Sequence, residues 1–397
     1  MQSIIAFIIL AIITGGFFYS GQLPKQEELP QPQENLAQAQ TQTQKSIAQV
    51  KPLGETKTVI KPQKSEPTVI KLSKAQSSVS IETYITSGPG EGEILNETNR
   101  VSFGFEAKVS PEETKGQITF ETKIEGLDKD WQETSSKQRT IILPSGPKEY
   151  TFLVRAKIKD VIDPTPATRT FKINTSPYFG KVKISSISSQ TSSYPSLIRL
   201  ITQFNKEEKI NITGWQIRGN KGVAIITKGI ETYLPYDSNP VEDIFIRYSD
   251  TIYLWGTSSP LGIDKSFRPN KCFGYLTDIY NFVPSISSSK RCPSIKLEDI
   301  SHLGEYCQDF ILRMGGCKIP DYSGNLKIIF DSECTSYISA YVEKNFNYQG
   351  CFRNYSKDKD FLSNYWYVYL GHDITSKLHD TLYLRDQDGL VVDKYLY

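Results

Sequence analysis

Three stretches between Val101 and Ile158 alternate apolar and polar residues with a period of two. They are Val101, Phe103, Phe105, Ala107 and Val109, then Ile118, Phe120, Thr122 and Ile124, then Tyr150, Phe152, Val154, Ala156 and Ile158. Such a period puts one face of a strand in a core and the other in water, which a helix cannot do with the same pattern. Three runs in one segment predict an antiparallel sandwich. The aromatic content points the same way, with 23 Tyr and 19 Phe against 2 Met, since aromatic side chains suit the pleated, half-buried surface of a sheet.

A second set of short β-branched runs follows between Lys181 and Gly256. Lys181 to Ile184, Leu197 to Ile201, Asn211 to Ile217 and Asp250 to Trp255 are separated by Gly, Asn, Pro and Asp clusters, the punctuation of a second small sandwich. Near the end, Thr381 to Asp386 and Leu390 to Tyr395 flank Gln387-Asp388-Gly389. Asp-Gly between two such runs predicts a hairpin. A hairpin is marginal alone and is expected to dock on the sandwich. A chain of 397 residues leaves room for two or three domains.

All six cysteines, Cys272, Cys292, Cys307, Cys317, Cys334 and Cys351, fall in one window, with successive spacings of 20, 15, 10, 17 and 17. None of these spacings is the C-x-x-C of a zinc knuckle. An even number in one window reads as up to three disulfides, which persist in an oxidising compartment. Pairing between sequence neighbours (272 with 292, 307 with 317, 334 with 351) is the expectation here, among fifteen connectivities. Ile300, Leu303, Cys307, Phe310 and Ile311 follow helical spacing, as do Cys334, Tyr337, Ile338, Tyr341 and Val342. Two helices are expected, each turning a cysteine inward, with Cys317 and Cys351 beyond their ends.

The N-terminus carries an uncharged run from Ile4 to Tyr19, between a signal-peptide core and a membrane span in length. Lys25 follows it and is offset by Glu27 and Glu28, so the flanks barely orient it. The cysteines favour an uncleaved anchor with the body outside; a cleaved signal peptide is the alternative. From Ser20 to Thr83 there is no aromatic residue, and Gln, Pro, Lys and Glu dominate. Such a segment has too little to bury to offset the entropy of ordering, and reads as a solvated linker. The formal net charge of +2 creates no global field that would draw in nucleic acid, and no nucleic-acid partner is expected.

Two resemblances rest on particular residues. Gly126-Leu127-Asp128-Lys129-Asp130-Trp131, Arg139, Leu143-Pro144-Ser145-Gly146 and Tyr150 to Ala156 together resemble the immunoglobulin-like Y_Y_Y module found beside bacterial sensor propellers, and more loosely a fibronectin type III strand set. That resemblance implies a spacing module with Trp131 packed over the core edge. Val182 to Ser185, a turn near Pro195, Leu197 to Leu200, Ile210 to Ile217 with Gly214-Trp215, Tyr233-Leu234-Pro235 and Ser249 to Leu254 are similar to the lamin-tail domain. It implies an immunoglobulin-like sandwich, in bacteria mostly on exported proteins, that binds rather than catalyses, with Trp215 in its core. As a whole the chain resembles surface proteins of small-genome candidate-phyla bacteria.

The expected organisation is therefore mostly β. Residues 1–20 form the anchor, 21–80 the linker, 81–176 the first sandwich, 177–271 the second, 272–360 a disulfide-braced helical excursion, and 361–397 the strands that complete the second sandwich. Only three histidines occur, and His372-Asp373 with His379-Asp380 is the one arrangement that invites a metal or acid/base reading. It lacks a third ligand, and exposed loop residues are the expectation. Asp386 to Gly389 lacks the ligand order and closing Glu of a calcium loop. No P-loop, G-x-S-x-G or H-E-x-x-H occurs. No catalytic, cofactor or metal residues are assigned. The expected function is a membrane-anchored, exported, non-catalytic module that binds an envelope protein or a cell-surface polymer. The alternative is an accessory or degenerate enzyme acting on extracellular polymer or nucleic acid. A broad aromatic-rimmed face would favour the first, and a carboxylate cluster in a cleft the second.

Overall fold

The computed structural model describes residues 79–397 apart from 113, 115, 237, 278, 284–291, 315, 319 and 320. The apolar run Ile4 to Tyr19 and the linker lie outside the described residues. Among the described residues no helix is long and apolar enough to cross a membrane.

The first module has nine strands: β1 (Ser80–Ser87), β2 (Glu93–Leu95), β3 (Arg100–Ser110), β4 (Ile118–Ile124), β5 (Gln132–Thr134), β6 (Gln138–Ile142), β7 (Lys148–Ile158), β8 (Val161–Ile162) and β9 (Ala167–Ile173). The three alternating runs are β3, β4 and β7. One sheet has the order β1-β3-β6; the other has β2-β9-β7-β4-β5, with β8 on β7. With β1, β3 and β6 in one sheet and β9, β7, β4 and β5 opposite, the order is that of an immunoglobulin- or fibronectin-like sandwich. Phe103, Phe105, Val154 and Phe152 interdigitate between the sheets, and Phe103 stacks on Phe152 with ring centroids 4.0 Å apart. A buried polar stitch crosses this core: the Thr83 hydroxyl donates to Asp163 Oδ2 at 2.6 Å and accepts from Ala156 N at 2.9 Å.

The second module contains β10 (Val182–Ser188), β11 (Leu197–Thr202), β12 (Lys209–Asn211), β13 (Gln216–Gly219), β14 (Gly222–Ile225), β15 (Gly229–Ile230), β16 (Phe245–Arg247), β17 (Thr251–Trp255), β18 (Ser266–Phe267), β19 (Tyr365–Tyr369), β20 (Thr381–Arg385) and β21 (Val391–Leu396). Its larger sheet runs β10-β11-β17-β19-β18-β15, and a second runs β14-β13-β20-β21; β12 and β16 pair separately. Between the two larger sheets lies a core around Trp215 and Trp366, both 1% exposed. Gly214 precedes Trp215 with φ +83, a conformation that favours glycine, and a side chain there would press on Gln387. The hairpin β20-β21 docks through β20 on β13.

Strand β19 lies parallel to β17, directly beside it, although about a hundred residues separate them. Parallel neighbours need a crossover, and the cysteine window supplies it. Its helices are α1 (Glu305–Arg313), α2 (Leu326–Ile329), α3 (Ser332–Tyr337), α4 (Glu343–Asn345) and α5 (Tyr348–Tyr355), with a π-helical turn at Ile338–Val342. One face of this crossover packs on the outside of the larger sheet through Phe267, Phe273 and Trp255; a separate small core surrounds Cys307 and Cys334.

The disulfides are Cys272–Cys351, Cys292–Cys317 and Cys307–Cys334. The neighbour-to-neighbour expectation is therefore wrong for every pair. Helical periodicity turns Cys307 of α1 and Cys334 of α3 into the same core, so they meet each other. Cys351 lies inside α5 rather than beyond a helix end, and α5 returns it to the base of the crossover beside Cys272.

Candidate ligand-binding surface

The histidine-aspartate constellation serves turns. Asp373 accepts from Lys221 Nζ at 2.6 Å and from Thr375 N and Oγ1. Burial opposes its charge, but the hydrogen bonds from Lys221, Ser196 and Thr375 outweigh this and hold its carboxyl well below the usual carboxylate range. Asp380, 2% exposed, accepts from Asn220 N and Ser376 N, while His372 and His379 face solvent. Among the described residues no group of three or more His, Cys, Asp or Glu is placed to hold a metal ion. Asp386 likewise closes the hairpin turn, Oδ1 accepting from Asp388 N and Leu390 N.

The larger sheet of the second module presents a different surface. Strand alternation points Ile198, Leu200, Ile252, Leu254, Trp366 and Val368 inward, so the intervening residues face out. Register sets them in cross-strand rows. Leu197, Trp255 and Tyr369 form one, covered by the crossover; Arg199, Tyr253, Tyr367 and Phe267 form the next, with Phe267 also buried under the crossover and the two tyrosines packed at its edge; Ile201, Thr251 and Tyr365 form the third. Tyr253 meets Tyr365 and Tyr367 edge-on, at centroid distances of 5.8 and 5.6 Å, and Arg199 beside them is exposed. The three tyrosines are half-buried, and these rows contain no carboxylate. They form an aromatic and cationic face at the rim of the crossover.

Beneath the crossover the contacts are polar as well as apolar. Tyr348 Oη donates to Tyr233 O at 2.6 Å and accepts from Asn270 Nδ2 at 2.9 Å. Arg268 donates to Ser363 O and to Asp250, in an ion pair of 3.1 Å with both partners nearly sequestered. Burial pushes the Asp250 carboxyl up and the Arg268 guanidinium down, against their mutual attraction. Sequence patterning gave no sign of this pair, because two charges 18 residues apart in irregularly spaced segments carry no period.

Two recesses among the described residues are small. One beside Trp215, lined by Tyr178, Asn211, Asp386 and Asp388, holds about 190 Å³, and another in the helical unit about 80 Å³. Sites for drug-sized ligands start near roughly 300 Å³. Trp131 is half-buried under the Arg155 guanidinium, 4.2 Å from its ring centre, while Trp215 lies in the second core against Tyr178.

No family model matches the chain, and no curated protein matches it. Among solved structures, the extracellular domain of a putative hybrid two component system from B. thetaiotaomicron is 18% identical over 25% of this chain, with a TM-score of 0.19. A second such domain from the same organism is 20% identical over 23% of this chain, with a TM-score of 0.18. This chain spans 16% and 15% of the lengths of those two domains. The FN1–FN3 domains of chicken CNTN1 are 12% identical over 41% of this chain and 55% of theirs, with a TM-score of 0.18. Scores this low assign no architecture, and the immunoglobulin- and fibronectin-like order stands on the strand pairing described above.

Proposed function

We propose that this protein is a membrane-anchored, exported and non-catalytic envelope protein whose second sandwich, a lamin-tail-like module, binds a cell-surface polymer. The observation that carries the reading is the outer face with Tyr253, Tyr365 and Tyr367 beside Arg199 and no carboxylate in its rows. Flat, half-buried tyrosines suit stacking against sugar rings, and an exposed arginine adds donors for hydroxyl or acidic groups. Three disulfides favour an oxidising compartment. The apolar run Ile4 to Tyr19 would anchor the chain, and the linker would hold the body away from the bilayer.

The test is retention of the full-length protein on isolated cell envelopes, stripped of protein, from the source cells. A Tyr253→Ala/Tyr365→Ala variant is expected to lose at least about tenfold in retention while its melting temperature moves only a few degrees. Equal retention of variant and wild type would overturn the polymer-binding face.

A further inference from the structure

Strand β14 ends the four-stranded sheet and pairs only with β13 among the described residues. Ile226 N donates to Trp215 O at 2.8 Å and Ile226 O accepts from Gly214 N at 2.8 Å. In an antiparallel ladder alternate residues turn their backbone groups to the same neighbour. Residues 222, 224 and 226 thus bond to the β13 side, and the N–H and C=O of Val223 and Ile225 point away from the sheet. Edges like this are usually blunted by a charge, a proline or a covering segment. Strand β14 reads Gly-Val-Ala-Ile, and Val223 and Ile225 are 46% and 53% exposed.

The face beside this edge is basic. Register places Val223 opposite Arg218, Arg218 opposite Tyr383, and Tyr383 opposite Lys394; the next row holds Ile225, Gln216 and Arg385. Arg385 and Lys394 each lie 5.4 Å from the Tyr383 ring centre. Lys394 is paired with Glu97 of the first module at 2.6 Å. Arg218 is exposed and has no ion-pair partner among the described residues.

We propose that β14 is a docking edge for an extended acidic segment of a partner protein, which adds to this sheet as a fifth strand. The unpaired backbone groups of Val223 and Ile225 select an extended chain over a helix or a small molecule. Carboxylate side chains at alternate positions lay their stems over Val223 and Ile225 and direct their charge toward Arg218 on the adjacent strand. The nearby carboxylates Asp373 and Asp243 are paired with Lys221 and Lys228, which limits their repulsion of such a strand. This edge belongs to the sheet opposite the tyrosine face, so the two surfaces work independently.

The test uses the full-length, oxidised chain in detergent and a labelled peptide, acetyl-Thr-Val-Glu-Val-Glu-Val-Thr-amide, read by fluorescence polarisation. Binding is expected at a dissociation constant on the order of 10–100 μM. Ile225→Pro removes an outward donor and costs no ladder bond; it is expected to weaken binding more than tenfold, as is Arg218→Glu, while Tyr365→Ala leaves it unchanged. Replacing Glu by Lys in the peptide, or N-methylating two adjacent central residues so that each edge loses a donor, is expected to abolish binding with the protein untouched. Equal binding of the Lys peptide or of the N-methylated peptide overturns the proposal. So does sedimentation as a dimer that Ile225→Pro converts to monomer, since a second copy would then occupy the edge.

Discussion

The two modules solve the same packing problem with different chain economy. The first is built from contiguous strands, contains no cysteine, and closes its core with stacked phenylalanines. The second sets β19 between β17 and β18 in one sheet, with a ninety-residue crossover intervening in sequence. Closing so long a loop costs entropy that strand pairing alone repays slowly. All three disulfides and the more deeply buried ion pair, Arg268–Asp250, lie where that cost falls; the first module has no disulfide, and its Arg139–Asp128 pair is less buried.

That contrast can be broken most strongly at the cross-link that closes the longest loop. Cys272 and Cys351 are 79 residues apart, against 25 and 27 for the other pairs. Loop-entropy scaling gives about 4.5 kcal/mol for the first and about 3.5 kcal/mol for each of the others. Replacing both Cys272 and Cys351 by Ala is therefore expected to lower the urea midpoint of the second module most, leaving the first in place. Tryptophan emission can separate them, because Trp131 lies in the first module and Trp215, Trp255 and Trp366 in the second.

A smaller effect is expected from Arg268→Met, which leaves Asp250 buried without its cation. The loss should be about 3 kcal/mol in urea unfolding, and adding Asp250→Asn should recover part of it, since removing both charges costs less than stranding one. An unchanged midpoint for the single variant would show that the ion pair does not pin the crossover.

Acid should act on one depressed carboxyl in each module, while the raised carboxyl of Asp250 works in the opposite sense in the second. Asp163 in the first module and Asp373 in the second both have depressed carboxyls: burial opposes the charge of each, and hydrogen bonds from Thr83 and Thr165, or from Lys221, Ser196 and Thr375, prevail. A depressed folded value means stability that is present above the unfolded value near pH ~4 and lost as pH falls below it. Asp163→Asn is expected to flatten the acid limb of the first module only, as followed by circular dichroism between pH 5 and pH 2. The least change is expected from Trp131→Ala, about 1 kcal/mol, because its partner is the Arg155 guanidinium at the margin of the core.

The strands β3, β4 and β7, the hairpin around Asp388-Gly389 and the helical faces bearing Cys307 and Cys334 were legible from the sequence because each is encoded by a local period. The disulfide partners were not, since spacing along the chain says nothing about which helix faces which. Nor was the parallel placement of β19 beside β17, the Arg268–Asp250 pair, or the open side of β14. An edge is defined by which strand fails to arrive, and that has no residue pattern of its own. Tyr253 was visible in the strand run Asp250 to Trp255, but its meeting with Tyr365 and Tyr367 on one face depends on register between segments over a hundred residues apart.

The crossover leaves and re-enters the sandwich through neighbouring backbone. Asn270 bridges Leu362, and Lys271 N donates to Phe361 O at 2.8 Å. Two ends this close make residues 272–360 an exchangeable cartridge. A different folded unit with adjacent termini could be grafted at that seam only if it also covered Trp255, Phe267 and Tyr369, which the present crossover buries.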